Sequence, residues 1–185
     1  MAPSTLDPKT ALVLIDLQKG ITSIPGAPFT PAEVIERGAR LATEFRLRGL
    51  PVVLVNVKAT PPGRTETSLR GDGTPAPDWT DLVPELDIQD TDIRVTKQSW
   101  GAFYGTSLDL ELRRRGVTQI VLGGIATRFG VESTARAAHE HGYHVTVAVD
   151  ACTDISADGH RASVEGVFPR LGETATTEEI LAVLP

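Results

Sequence analysis

Two charged residues stand where apolar runs end, and they define the chemistry to look for. Asp16 directly follows the run Thr10 to Ile15 (TALVLI), and Lys97 closes a shorter run that begins at Asp92. A carboxylate at the end of a buried strand is partly desolvated, which raises its pKa, while an ammonium beside it lowers it again. Such a pair is suited to proton transfer, the balance of the two effects deciding between acid and base. The alternatives are structural: an Asp that caps a loop, a Lys that reaches solvent. A third feature is Gln119 to Ala138, QIVLGGIATRFGVESTARAA. There an apolar run ends in Gly123-Gly124, and a small-residue turn leads into a helical pattern starting near Gly130. Strand, tight turn and helix N-terminus present backbone N–H groups, so Gly130 and the turn before it are candidates to hold an oxyanion or carboxylate. Arg128, in that turn, either forks onto a substrate carboxylate or points to solvent. Trp100, Phe103 and Tyr104, close behind Lys97, either wall a pocket or cover the core.

Other chemistries find little support. The first strand leads into IDLQKGI, without the G-x-G-x-x-G of a dinucleotide site, and there is no P-loop and no G-x-S-x-G elbow. His139 and His141 are two residues apart and cannot share a helical face; with His144 and His160 they give no metal-binding spacing, so no metal and no cofactor are expected. A net charge of −6 argues against a phosphate-backbone partner. Arg113-Arg114-Arg115 is read as the cationic last turn of a helix over Thr106 to Arg115, favoured by the dipole. No apolar run approaches the roughly 18 residues of a membrane span. The single cysteine, Cys152, follows a buried strand and is read as a small core residue. One cysteine makes no internal disulfide, and MAPSTLDPKT has no basic-then-apolar leader, so a cytoplasmic location is expected.

The elements that must position these residues alternate between strand and helix. Thr10 to Ile15, Pro51 to Val57, Asp92 to Thr96, Gln119 onward and His144 to Val149 read as strands, with a short one near Glu173 to Ala175. Thr30-Pro31-Ala32-Glu33 opens a helix with a capping box and proline at its first position, and Gly49 stops it. A second capping box, Thr176 with Glu179, opens the last helix. Lys19 to Phe29 reads as a loop. Lys58 to Pro84, rich in Pro, Gly and Thr and holding Arg64, Arg70 and Trp79, is either a lid or a surface insertion. The alternation predicts an α/β fold with a parallel sheet in one domain spanning residues 1–185, its ligand site at the strand C-terminal ends.

ALVLIDLQ, TKQSWGAFYGTSLDLELRRRG and GGIATRFGVESTARAAHEHGY, in that order, resemble the isochorismatase-like hydrolase superfamily. The resemblance covers about Thr10 to Ala151. It implies a three-layer α/β/α, Rossmann-like architecture with a six-stranded parallel sheet of order 3-2-1-4-5-6. Most members are cysteine hydrolases with an Asp–Lys–Cys triad; Asp16 and Lys97 match its first two members, and Gly130 stands at the cysteine position. Ser133, about one turn into the helix, is badly placed to substitute. The resemblance also implies a cis peptide at Ile125–Ala126, which with Gly130 would supply the anion-binding N–H groups. Isochorismatases also carry glycine there and are thought to cleave a vinyl ether with the aspartic acid as proton donor; Gln18, Trp100, Ala102 and Phe103 agree with them. The metal-binding Asp/His cluster of nicotinamidases has no counterpart in Lys58 to Pro84. The expectation is therefore a hydrolase of a small carboxylated molecule that uses Asp16, Lys97 and Gly130, with Gln18, Trp100, Phe103, Ile125, Ala126 and Arg128 around the substrate. Two alternatives stay open: a non-catalytic homologue that binds a metabolite or partner, and an amidase with another nucleophile such as Cys152. The resemblance implies a homo-oligomer.

Overall fold

TALVLI is apolar after its first residue, so both faces of a strand made from it must be covered, and β1 (Thr10–Ile15) is buried at every position. The computed structural model describes residues 3–59, 61, 63–66 and 74–185. The other strands are β2 (Val52–Val57), β3 (Ile93–Lys97), β4 (Gln119–Ile125), β5 (His144–Thr153) and β6 (Glu173–Ala175). They form one sheet of order β3-β2-β1-β4-β5-β6, parallel throughout, as the resemblance implied. The order reverses direction between β1 and β4, which makes the gap between their C-terminal ends the switch point where such sheets bind ligands.

Alternate residues of each strand feed two cores. Val13 and Ile15 face one layer with Leu108, Leu112, Ala135, Ala138 and Phe168, while Leu12 and Leu14 face the other with Val34, Leu41, Phe45 and Ile180. The helices that supply these side chains are α2 (Pro31–Leu47), α3 (Leu108–Arg114), α4 (Glu132–Glu140), α6 (Phe168–Leu171) and α7 (Thr177–Ala182). A short α1 (Lys19–Thr22) and α5 (Ala157–Gly166) lie nearer the strand ends. Both capping boxes are present, with Thr30 and Glu33 exchanging bonds at 3.3 and 2.8 Å, and Thr176 and Glu179 at the same distances. Gly49 ends α2's last turn with φ 66°, a conformation that favours a residue without Cβ.

Several boundaries differ from the sequence reading. Part of the expected loop after β1 is helix α1. Helix α3 starts at Leu108 because the Thr106 hydroxyl accepts the Leu108 N–H at 3.2 Å and closes a turn before it. Strand β5 runs on to Thr153 through a register shift opposite Leu122 and Gly124, which keeps its last residues paired to β4. Leu6 in the polar lead-in is buried at 5% exposure and joins the α2-side core. Of the 58–84 segment, Arg70 and its neighbours lie outside the described residues. Its final part is docked: Asn56 Nδ2 donates to the Thr80 carbonyl at 2.9 Å, and Leu82 bridges to Gln18. No helix among the described residues is long and apolar enough to cross a membrane.

Thr30 satisfies an N–H that α2 would otherwise leave open. Its replacement by alanine is expected to lower unfolding stability by about 1 kcal/mol, read as a shifted urea midpoint with an unchanged slope.

Candidate active site

Strand ends bring three of the expected residues to one point. Asp16 follows β1 with φ 55°, a left-handed conformation that Asp tolerates better than most residues and that turns its carboxyl back over the sheet. Lys97 ends β3, two strands away. Neighbouring strands lie roughly 5 Å apart, so only a long side chain spans β2, and the lysine stem does so: Nζ sits 2.8 Å from Asp16 Oδ2. Nζ also donates to the Ser99 carbonyl at 3.0 Å. Both side chains are almost fully buried, at 2% and 7% exposure for Lys97 and Asp16. The other carboxyl oxygen, Asp16 Oδ1, is buried without a hydrogen-bond partner. Burial pushes the Asp16 carboxyl up to about 6, against the pull of the Lys97 ammonium and its hydrogen bond.

Gly130 closes the third side. It lies in a π-helical turn (Thr127–Val131) between β4 and α4. A Cβ there would stand 2.8 Å from Ile15 Cγ2, 3.3 Å from Asp16 Oδ2 and 3.5 Å from the Trp100 carbonyl. The Ile125–Ala126 peptide before the turn is cis, as the resemblance implied. Thr134, one helical turn on, ties the parts together: its hydroxyl donates to the Gly130 carbonyl at 2.6 Å and accepts the Ala102 N–H at 3.1 Å. Trp100 is half-exposed, with its ring edge-on to Phe129 at 4.9 Å. Arg128 lies over the other part of that aromatic pair, 5.1 Å from the Phe129 centroid.

Other expected residues are placed differently. Phe103 stacks on His141 at 5.1 Å and packs against Tyr143 at 5.8 Å. Tyr143 immediately precedes β5, so this cluster covers the core at the strand N-terminal edge, the end opposite Asp16. Gln18 is fully buried and its amide is consumed by the backbone: Nε2 donates to Val57 and Trp79 carbonyls at 3.0 Å each, and Oε1 accepts the Val57 N–H at 2.7 Å. It fastens the β1 and β2 ends to the docked segment. Trp79 lies flat on Gly20, where any Cβ would collide with the indole. Cys152 is fully buried, and burial pushes its thiol up to about 12, which leaves no thiolate to attack a substrate. His160 is buried beside Thr127, its Nδ1 2.9 Å from the Thr127 hydroxyl, and burial lowers its pKa against the pull of Asp154. Among the described residues no group of three or more His, Cys, Asp or Glu is arranged to hold a metal ion.

The sequence reading missed Asp154. Its carboxylate has no exposed area, accepts the Arg128 N–H at 2.9 Å and the Ile155 N–H at 2.8 Å, and pairs with Arg128 Nε at 3.1 Å. The signal was the one that flagged Asp16, an acid at a strand end; the strand ends four residues later than the apolar pattern suggested.

A parallel six-stranded α/β sheet thus carries a buried Asp–Lys pair at its strand C-terminal ends, beside the turn that holds Gly130. The chain matches the isochorismatase domain over residues 10–179 and belongs to the isochorismatase family of hydrolases. An isochorismatase family protein of Bacillus subtilis (strain 168) is 46% identical over 179 residues, covering 94% of this chain and 93% of that protein. A maleamate amidohydrolase of Pseudomonas putida is 28% identical over 189 residues, covering 95% of this chain and 87% of that enzyme. The solved structure of an isochorismatase family protein from Burkholderia thailandensis superposes with a TM-score of 0.88 at 44% identity, covering 100% of this chain and 99% of that one.

The contacts around Gly130 predict that Gly130→Ala and Gly130→Cys are both destabilised, by about 1–3 kcal/mol as for other overpacked cores, because the added Cβ crowds Ile15. Thermal unfolding of the two variants checks this; an unchanged midpoint for Gly130→Ala would show that Ile15 moves aside freely.

Proposed function

We propose that this hydrolase cleaves the vinyl ether of a small carboxylated substrate of the isochorismate type, with Asp16 as general acid. The observation that carries the reading is the asymmetric carboxyl: Oδ2 rests on Lys97, while Oδ1 is buried and unpartnered. A proton on Oδ1 has no internal acceptor, so it is not committed to a bond within the protein. With its pKa pushed up to about 6, the group remains protonated closer to neutrality than an ordinary aspartic acid.

Asp16 Oδ1 gives its proton to the methylene carbon of the enolpyruvyl group, and the ether carbon becomes an oxocarbenium ion. The resulting carboxylate stays beside Lys97, whose ammonium balances the charge that forms. Water adds to the cationic carbon and loses a proton, which can return to Asp16. The hemiketal then breaks at the ether C–O bond, releasing pyruvate and the alcohol. The N–H groups of Arg128, Phe129 and Val131 are bonded within the protein, so the Gly130 N–H is the donor assigned to negative charge on the substrate, and Trp100 walls the ring.

Relatives named for maleamate and ureidoacrylate act as amidohydrolases. Amide cleavage through an acyl-enzyme needs a nucleophile. Gly130 has none, and Cys152 is sealed in the core, which favours the acid-only route. The glycine also leaves a second reading, a homologue that binds a metabolite without turnover.

Pyruvate release from isochorismate is expected for the wild type and reduced at least about 100-fold in Asp16→Asn, the scale of a lost general acid. Equal rates in the two proteins would remove Asp16 from the mechanism, and no release from either would reject this substrate. The active form carries the proton, and the pKa is raised. We therefore expect kcat/KM to be level below about pH 6 and to fall about tenfold per unit above it. A rate that instead rises through pH 6 would make Asp16 a base.

A further inference from the structure

We propose that Arg128 is the group that reads the substrate carboxylate: Asp154 holds its Nε edge, Phe129 and Gly159 hold its plane, and its Nη edge is left as a free fork beside the Gly130 turn. This rests on the pocket being one for a small carboxylate, but not on the vinyl-ether chemistry.

Three contacts from three segments fix the guanidinium. Nε pairs with Asp154 Oδ1 at 3.1 Å, at the end of β5. Phe129 lies beneath it at 5.1 Å. Gly159, in the first turn of α5, approaches so closely that a Cβ would be 3.0 Å from both Cζ and Nε. Gly159 has no positive φ to explain it, so the space it leaves is used by the arginine. The Arg128 backbone N–H is anchored to Asp154 as well. The Nη nitrogens have no hydrogen-bond partner among the described residues, and the side chain is 42% exposed. Holding an arginine in one rotamer removes much of the entropy that ligand binding would otherwise cost. The free edge of a guanidinium offers parallel N–H donors that match a carboxylate. Its place follows from the chain: Phe129 separates it from Gly130, and the Phe129 ring meets Trp100, whose carbonyl faces Gly130. A planar acid with its ring on Trp100 and Phe129 would set its carboxylate at this edge.

The competing account makes Arg128 only the counter-ion of buried Asp154. The two differ in a variant that removes both charges. The test uses benzoate, with the neutral isostere benzamide as control, followed by calorimetric titration and by the arginine side-chain N–H signals of labelled protein. Wild type is expected to bind benzoate saturably and more tightly than benzamide, with a shift of the Arg128 signal. Arg128→Met and the double variant Arg128→Met/Asp154→Asn should each lose at least tenfold in benzoate affinity, with benzamide unaffected. Gly159→Ala, which displaces the plane and keeps the charge, should weaken benzoate as well. No saturable benzoate binding by the wild type, or wild-type affinity in the folded double variant, would overturn the proposal. Arg128-dependent benzoate binding without pyruvate release would keep the fork and discard the vinyl-ether reading. Pyruvate release alongside undiminished benzoate binding by Arg128→Met would do the reverse.

Discussion

The contact between Asp16 and Lys97 is the constraint to which the rest of the site conforms. Sheet order places the two residues two strands apart, a gap of roughly 10 Å that a lysine can cross and a shorter cation cannot. The bridge crosses the end of β2, whose last residue, Val57, pairs with Lys97, and the chain after β1 turns sharply through the positive φ at Asp16. In this chain Ile15 and Asp16 Oδ2 lie close against the bare Gly130, at 2.8 and 3.3 Å from where a Cβ would stand. Burying an ion pair of this kind is poor value for stability, because desolvation offsets most of the attraction. An unpartnered carboxyl oxygen makes it poorer still. Features that disfavour the folded state and lie at a switch point mark a candidate functional site.

Most of the frame was legible because it depends on short-range rules. Continuous apolar runs can only be doubly covered strands, and the two Thr/Glu boxes specify helix starts through bonds made within four residues. Asp16 and Lys97 were legible for the same reason, as charges at the ends of such runs. What escaped depends on partners distant in sequence. Nothing in the pattern around Gln18 says that its amide will be spent on Val57 and Trp79, or that Phe103 will turn toward Tyr143 at the far edge of the sheet. Asp154 was hidden by a strand that continues past its apolar stretch, carried there by a register shift. The π-helical turn at Thr127–Val131 has no residue signature of its own, because one extra residue in a helical turn is a matter of packing.

The site also suggests how one fold hosts two reaction types. On the proposed reading, an acid held by a lysine serves proton transfer whether or not a nucleophile stands beside it. In this chain glycine stands at the position beside Asp16 and the thiol elsewhere in the molecule is sealed in the core, so the buried Asp–Lys pair is what remains. Such a change of chemistry would need no change of scaffold, in keeping with the sequence likeness to relatives that bear amidohydrolase names.

Two isolated bridges have a further consequence. Gln18 pairs with Leu82, and Ala27 pairs with Asp154, each joining a connection that follows β1 to a segment far along the chain. Loops usually open independently, at little free-energy cost. Here the peptide after the acid-bearing strand is stitched on one side to the run-in of β3 and on the other to the end of β5. Opening this connection therefore means releasing bridges on both sides at once, which would slow amide exchange at Gln18 and Ala27 relative to a loop tied at neither.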